Sequence, residues 1–212
     1  FERKEAAYEF NFGYQGIVST IDALTTRHDV IVFDSEAHAC LIDGKRLHLG
    51  QSFHFKHNDI VSCENALKRA TEIVNKTGGG ILLITEGVFG MTGALGILDQ
   101  IVELKKKYQF RILIDDAHGF GVMGPTGRGT SEHFGVMDEI DLYIGAYAKS
   151  MATIGGFVAG PKYVIDYLRY NMRSQMYAKS LPMPIVEGCL KRLEIIRSAE
   201  GDELRKKLWT VT

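Results

Sequence analysis

The chain has 212 residues, 45% hydrophobic and 24% charged, with a formal charge of −1, the make-up of a folded globular protein. That balance, with no stripe of Lys and Arg interleaved with aromatics, excludes a polyanion-binding surface, so no nucleic-acid partner is expected. No apolar run approaches the roughly 18 residues of a membrane span, and Cys40, Cys63 and Cys189 fit neither a disulfide framework nor paired metal ligands, which predicts a reducing, cytoplasmic setting and no metal.

The opening segment, residues 2–7, is polar and reads as the end of a helix. Apolar runs rich in β-branched residues recur at residues 8–12, 30–33, 81–85, 111–114, 142–146 and 157–159, each with the character of a strand buried on both faces. Between them, residues 17–24, 64–76 and 98–108 carry helical patterns. In the last, Leu98, Ile101, Val102, Leu104 and Tyr108 trace one apolar face, and the run Lys105-Lys106-Lys107 reads as solvated surface. From about Pro161 to Ile196 the pattern is mainly helical, broken at Leu181-Pro182-Met183-Pro184. Alternation of this kind predicts an α/β fold with a mostly parallel sheet.

In open α/β sheets, ligands sit beyond the carboxyl ends of the strands. There the sequence places Gly13-Tyr14-Gln15, the segment from Asp34 to His38, Glu86, Asp115-Asp116-Ala117-His118 and Lys149-Ser150. Two acids and a histidine in one turn suit a shared ligand, and equally a helix cap or a structural hydrogen-bond cluster. A metal set is disfavoured because no Cys or second His lies at ligand spacing. Lys149, just past an apolar strand and followed by Gly155-Gly156, is a candidate Schiff-base nucleophile, since partial desolvation frees an amine's lone pair. An ordinary surface lysine has the same local sequence. The Gly13-Tyr14-Gln15-Gly16 turn opens a helix whose free amides suit a phosphate, or it is a plain strand-to-helix connection. His38 suits a surface loop as well as a site. The loop from Gly124 to Gly129 lacks the Gly-Lys-Ser/Thr ending of a phosphate cradle and reads as connecting turns.

Taken in order, these segments resemble the α-oxoamine synthases, a family of fold-type-I pyridoxal-phosphate enzymes. The likeness runs through residues 11–19, His38-Ala39-Cys40-Leu41-Ile42-Asp43-Gly44, and residues 55–59, 86–93, 115–124, 145–160 and 173–184. It implies a three-layer α/β/α large domain with a mostly parallel sheet. It also implies that residues 1–212 are that large, catalytic domain of a longer protein, without its N-terminal segment and small C-terminal domain. By the same likeness Lys149 carries pyridoxal 5'-phosphate as a Schiff base and later moves the α-proton. Gly13 and Tyr14 hold the phosphate, His38 stacks on the ring, Asp115 pairs with the ring nitrogen and His118 bonds the ring hydroxyl. Ser180 is expected to reach the site of a second subunit in a homodimer.

Two departures stand out. Ala146 and Ala148 occupy positions where many family members carry phosphate-binding hydroxyls, and Phe89-Gly90-Met91-Thr92-Gly93 replaces a serine-containing segment. Within the family, His38 to Gly44 and Tyr170 to Met176 look most like the bacterial serine palmitoyltransferase branch. The activity this implies is decarboxylative condensation of L-serine with a long-chain acyl-CoA. Alanine with a pimeloyl thioester, glycine with acetyl-CoA, or a fold retained only for binding are the alternatives.

Overall fold

The computed structural model describes residues 1–212. In chain order its elements are β1 (Ala6–Phe10), α1 (Gly13–Leu24), β2 (Val30–Asp34), α2 (Ala39–Leu47), β3 (Gln51–Phe55), α3 (Ile60–Thr77), β4 (Ile81–Glu86) and α4 (Leu98–Glu103). There follow β5 (Arg111–Asp115), α5 (Thr130–His133), β6 (Leu142–Ala146), β7 (Gly156–Gly160), α6 (Lys162–Asn171), α7 (Arg173–Met176), α8 (Met183–Ile196) and α9 (Ala199–Val211).

Strand β2 shows how the layers arise. It is buried throughout, yet Val30 and Val32 join one core with Leu67 and Ile101, while Ile31 and Phe33 join another with Ile21, Leu41 and Leu168. A period of two on an all-apolar strand therefore demands helices on both faces. Helices α1, α2 and α6 cover one face; α3, α4 and α8 cover the other. The sheet has seven strands in the order β1-β7-β6-β5-β4-β2-β3. Strands β3, β2, β4, β5 and β6 are mutually parallel, and β7 runs antiparallel to both its neighbours, β6 and β1. The expected α/β/α fold with a mostly parallel sheet is present.

Both sheet edges differ from the sequence reading. Residues 2–7 do not end a helix: Arg3 has a φ of +55°, and Ala6 to Phe10 form β1, two residues earlier than expected. This strand alternates instead of being buried on both faces: Tyr8 and Phe10 pack into the core with α1 and α6, while Ala7 and Glu9 line a cavity on the opposite face. Strand β3 was not anticipated at all, since Gln51-Ser52-Phe53-His54-Phe55 has no apolar run. It forms because β2 offers it a parallel edge.

Helix bounds also moved for identifiable reasons. Helix α3 begins at Ile60 because the Asp59 carboxylate accepts the Ser62 N–H at 2.9 Å, and it stops where Gly78 adopts a φ of +74°. Helix α4 ends at Glu103 and tightens into a 3-10 turn at Leu104–Lys106. There Lys106 and Lys107 are surface residues, but Lys105 turns inward to pair with Asp141 at 2.7 Å. Cys40, Cys63 and Cys189 are free and buried. No helix is long and apolar enough to cross a membrane.

Candidate active site

A cavity of about 310 Å³ opens beyond the carboxyl ends of the parallel strands and gathers Gly13, Tyr14, His38, Asp115, His118 and Lys149. Six of the seven site residues expected from the resemblance thus meet, although they come from four separate chain segments. The seventh, Ser180, does not: it is exposed in the connection after α7.

Asp115 is the last residue of β5 and Asp116 the first beyond it, so strand alternation sends them to opposite sides. Asp115 lines the cavity, its Oδ1 accepting the Ala117 N–H at 3.1 Å and its Oδ2 the Cys40 thiol at 3.5 Å. Burial raises its pKa, against those hydrogen bonds and the nearby His38 and His118. Asp116 instead accepts the Thr130 N–H at 2.7 Å and the Tyr143 hydroxyl at 3.0 Å, both on Oδ2. It is a buried structural acid that burial pushes up to about 7.

Glu86, at the end of β4, stands in register with Asp115 and also lines the cavity. Burial first, and the Asp115 carboxylate second, push it up to about 7. Its Oε1 accepts the His38 N–H at 2.6 Å, which fixes the backbone that carries that imidazole. The sequence shows Glu86 only as a polar residue after a strand; strand register is what makes it a site residue.

His38 is exposed at the cavity and caps α2: its Nδ1 accepts the Cys40 N–H at 3.3 Å. His118 is partly buried, and burial followed by the Lys149 charge depresses its pKa. Lys149 is exposed at the cavity mouth, which corrects the expectation of a partly desolvated amine: it lies in a tight turn, not against the apolar core. Ala152 N–H closes that turn onto the Lys149 carbonyl at 3.1 Å, with Ala152 itself at a φ of +45°.

Helix α1 starts at Gly13 with no side-chain cap, so its first-turn amides keep their donors for another acceptor. A Cβ added to Gly13 would lie 3.5 Å from Ala146 Cβ, which places Ala146 directly opposite that helix start. The Tyr14 hydroxyl bonds Asp43, and Tyr14 lines the cavity beside Gly13.

The model of the family "Aminotransferase class I and II" matches residues 2–212. A cysteate-C-fatty acyltransferase from Capnocytophaga ochracea is 61% identical over 209 residues, covering 99% of this chain and 49% of that protein. A serine palmitoyltransferase from Bacteriovorax stolpii is 39% identical over 206 residues, covering 97% and 48%. A solved serine palmitoyltransferase from S. paucimobilis with bound PLP-myriocin aldimine matches with a TM-score of 0.90 at 28% identity, over 98% of this chain and 50% of that one. The chain spans about half the length of the curated relatives it matches.

The residues present fit pyridoxal phosphate. An uncapped helix start suits its phosphate, a buried carboxylate its ring nitrogen, and a lysine amine its aldehyde, all around one cavity. The chain belongs to the aminotransferase class I and II family, among the fold-type-I, pyridoxal-phosphate-dependent α-oxoamine synthases.

Proposed function

We propose that this chain is the cofactor-binding large domain of an acyltransferase that joins a small amino acid to a fatty acyl thioester, and that the amino acid is cysteate. The observation that carries the reaction class is the convergence of Lys149, His118, Asp115 and the uncapped start of α1 on one cavity. Pyridoxal phosphate, when bound, supplies the electron sink for charge developing at the amino acid's α-carbon. Asp115 keeps the ring nitrogen protonated through a buried carboxylate, and His118 binds the ring hydroxyl. The Gly13 and Tyr14 amides hold the phosphate. Lys149 Nζ holds the aldehyde carbon and, once free, takes the α-proton. His38 covers the ring and orients an acid group of the substrate. Ser180 is assigned to the neighbouring site of a homodimer, because it is exposed and away from the cavity of its own chain.

In the reaction a carbon–carbon bond forms between the amino acid's α-carbon and the thioester carbonyl. The carbonyl–sulfur bond breaks and the thiolate is protonated to the free thiol of CoA, while the bond from the α-carbon to its carboxylate breaks to release carbon dioxide and the α-carbon takes a proton in its place. The donor is argued from likeness: 61% identity to the cysteate enzyme against 39% to a serine enzyme. His38, the cavity residue assigned to the substrate's acid group, has a ring donor that suits a sulfonate. L-Serine is the second reading, supported by several serine palmitoyltransferases at 39% identity.

The test is the rate of thiol release from palmitoyl-CoA by the intact protein with cysteate, L-serine, glycine or L-alanine. Cysteate is expected to lead clearly, because a site that pairs a sulfonate leaves donors unpaired with an amino acid lacking it. A lead for serine replaces the donor assignment, and no release with any donor overturns the acyl-transfer reading.

A further inference from the structure

Cys40, in the first turn of α2, joins two cavity residues that share no hydrogen bond with each other. It is 1% exposed, and its Sγ lies 2.9 Å from His38 Nδ1 and 3.5 Å from Asp115 Oδ2. Its backbone N–H donates to the same Nδ1 at 3.3 Å, which is what makes the His38 ring the cap of the helix. A ring nitrogen that accepts an amide hydrogen carries no proton of its own, so the neutral imidazole has its proton on Nε2. Burial first, then the Asp115 carboxylate and more weakly that of Glu86, disfavour a thiolate and keep the sulfur a thiol. A thiol has one hydrogen to give, and both of its neighbours here are acceptors.

We propose that Cys40 is a positioning residue that locks His38 in the Nε2–H tautomer and keeps that ring from pairing with Asp115. With the sulfur removed, the ring is free to leave the long 3.3 Å bond from the residue-40 amide and turn Nδ1 toward Asp115 Oδ2, where a proton on Nδ1 makes a stronger, charge-assisted bond to the carboxylate. Asp115 in that arrangement is occupied by His38 and not free for a pyridine nitrogen. His38 in turn shows the cavity a bare Nε2, an acceptor, where an anionic group on the substrate needs a donor. The inference rests on the reading above in one respect: it takes Asp115 to serve the ring nitrogen and His38 to serve the substrate's acid group.

The experiment is nitrogen NMR of the intact protein labelled with ¹⁵N-histidine, with the His38 signals assigned through His38→Gln. At neutral pH, His38 is expected to show an unprotonated Nδ1 and a protonated Nε2. In Cys40→Ala those signals should move toward the Nδ1-protonated form, and pyridoxal phosphate affinity should fall roughly tenfold. Cys40→Ser keeps a small hydroxyl donor and should restore both, which a purely structural role would not require. A proton on Nδ1 in the parent protein, or unchanged His38 signals in folded Cys40→Ala, overturns the proposal. If Cys40→Ala does not fold, the parent and Cys40→Ser spectra decide alone, and Nδ1–H in either one overturns it. The tautomer is read without amino acid or acyl thioester, so its failure is separate from a failure of thiol release.

Discussion

Glu86 and Asp115 stand side by side, in register, at the carboxyl ends of adjacent parallel strands, and both carboxyl groups are buried beside the cavity. Two acids so placed resist ionising together. This pairing sets the first expectation.

Glu86 is pushed from 4.5 up to about 7, so the folded protein holds this proton more tightly than the unfolded chain does. Its contribution to stability is complete below pH 4.5, is lost as the pH rises through about 7, and is absent above. Glu86→Gln should therefore flatten the fall in stability across that window, measured as denaturant midpoint against pH in cofactor-free protein. Asp116 contributes in the same direction, so the slope shrinks without vanishing. A slope identical to that of the parent would place the titrating proton elsewhere.

The two adjacent acids should behave oppositely. Asp115→Asn removes charge from the cavity and should lower turnover at least tenfold with little change in unfolding midpoint. Asp116→Ala strands the Thr130 N–H and the Tyr143 hydroxyl in the core and should cost about 2 kcal/mol or more of stability. Denaturant unfolding and turnover, measured on both variants, separate the roles; a reversal would mean that the pair is assigned the wrong way round.

How much of this was legible in the sequence varied with burial. The central strands β2, β4, β5 and β6 announce themselves as apolar runs, because both faces need filling. The edges β1 and β3 do not, because an edge strand owes its existence to a partner and tolerates Glu9, Gln51 and His54. The same limit applies at the site. Lys149, Asp115 and His118 follow strands directly and could be picked by position. Glu86 also follows a strand, but its pairing with Asp115 comes from register across the sheet, and Cys40 matters through its place at the helix start; no local pattern records either relationship. Which of Asp115 and Asp116 faces the cavity is set by where the strand ends.

Ala146 faces the uncapped start of α1 across a short gap. Ala146→Thr adds a hydroxyl there and should tighten pyridoxal phosphate binding by about 1.5 kcal/mol, close to tenfold. Equilibrium dialysis of the cofactor measures this. Unchanged or weaker binding would show that the phosphate is already saturated by other donors.

Ala152 pays for its left-handed backbone in the turn that presents Lys149. Ala152→Gly removes that strain, and the unfolding free energy should rise by about 1 kcal/mol. A loss of stability in denaturant titration would mean that the turn is relaxed as it stands.

The central claim is that Lys149 carries pyridoxal phosphate covalently, and borohydride reduction of the intact holoprotein followed by peptide mass mapping tests it most directly. Reduction should freeze the cofactor onto the peptide containing Tyr147-Ala148-Lys149-Ser150, and Lys149→Ala should abolish that adduct while leaving the unfolding midpoint close to the parent's. A reduced adduct on a different lysine, or a cofactor-loaded protein with no adduct at Lys149, would contradict the account.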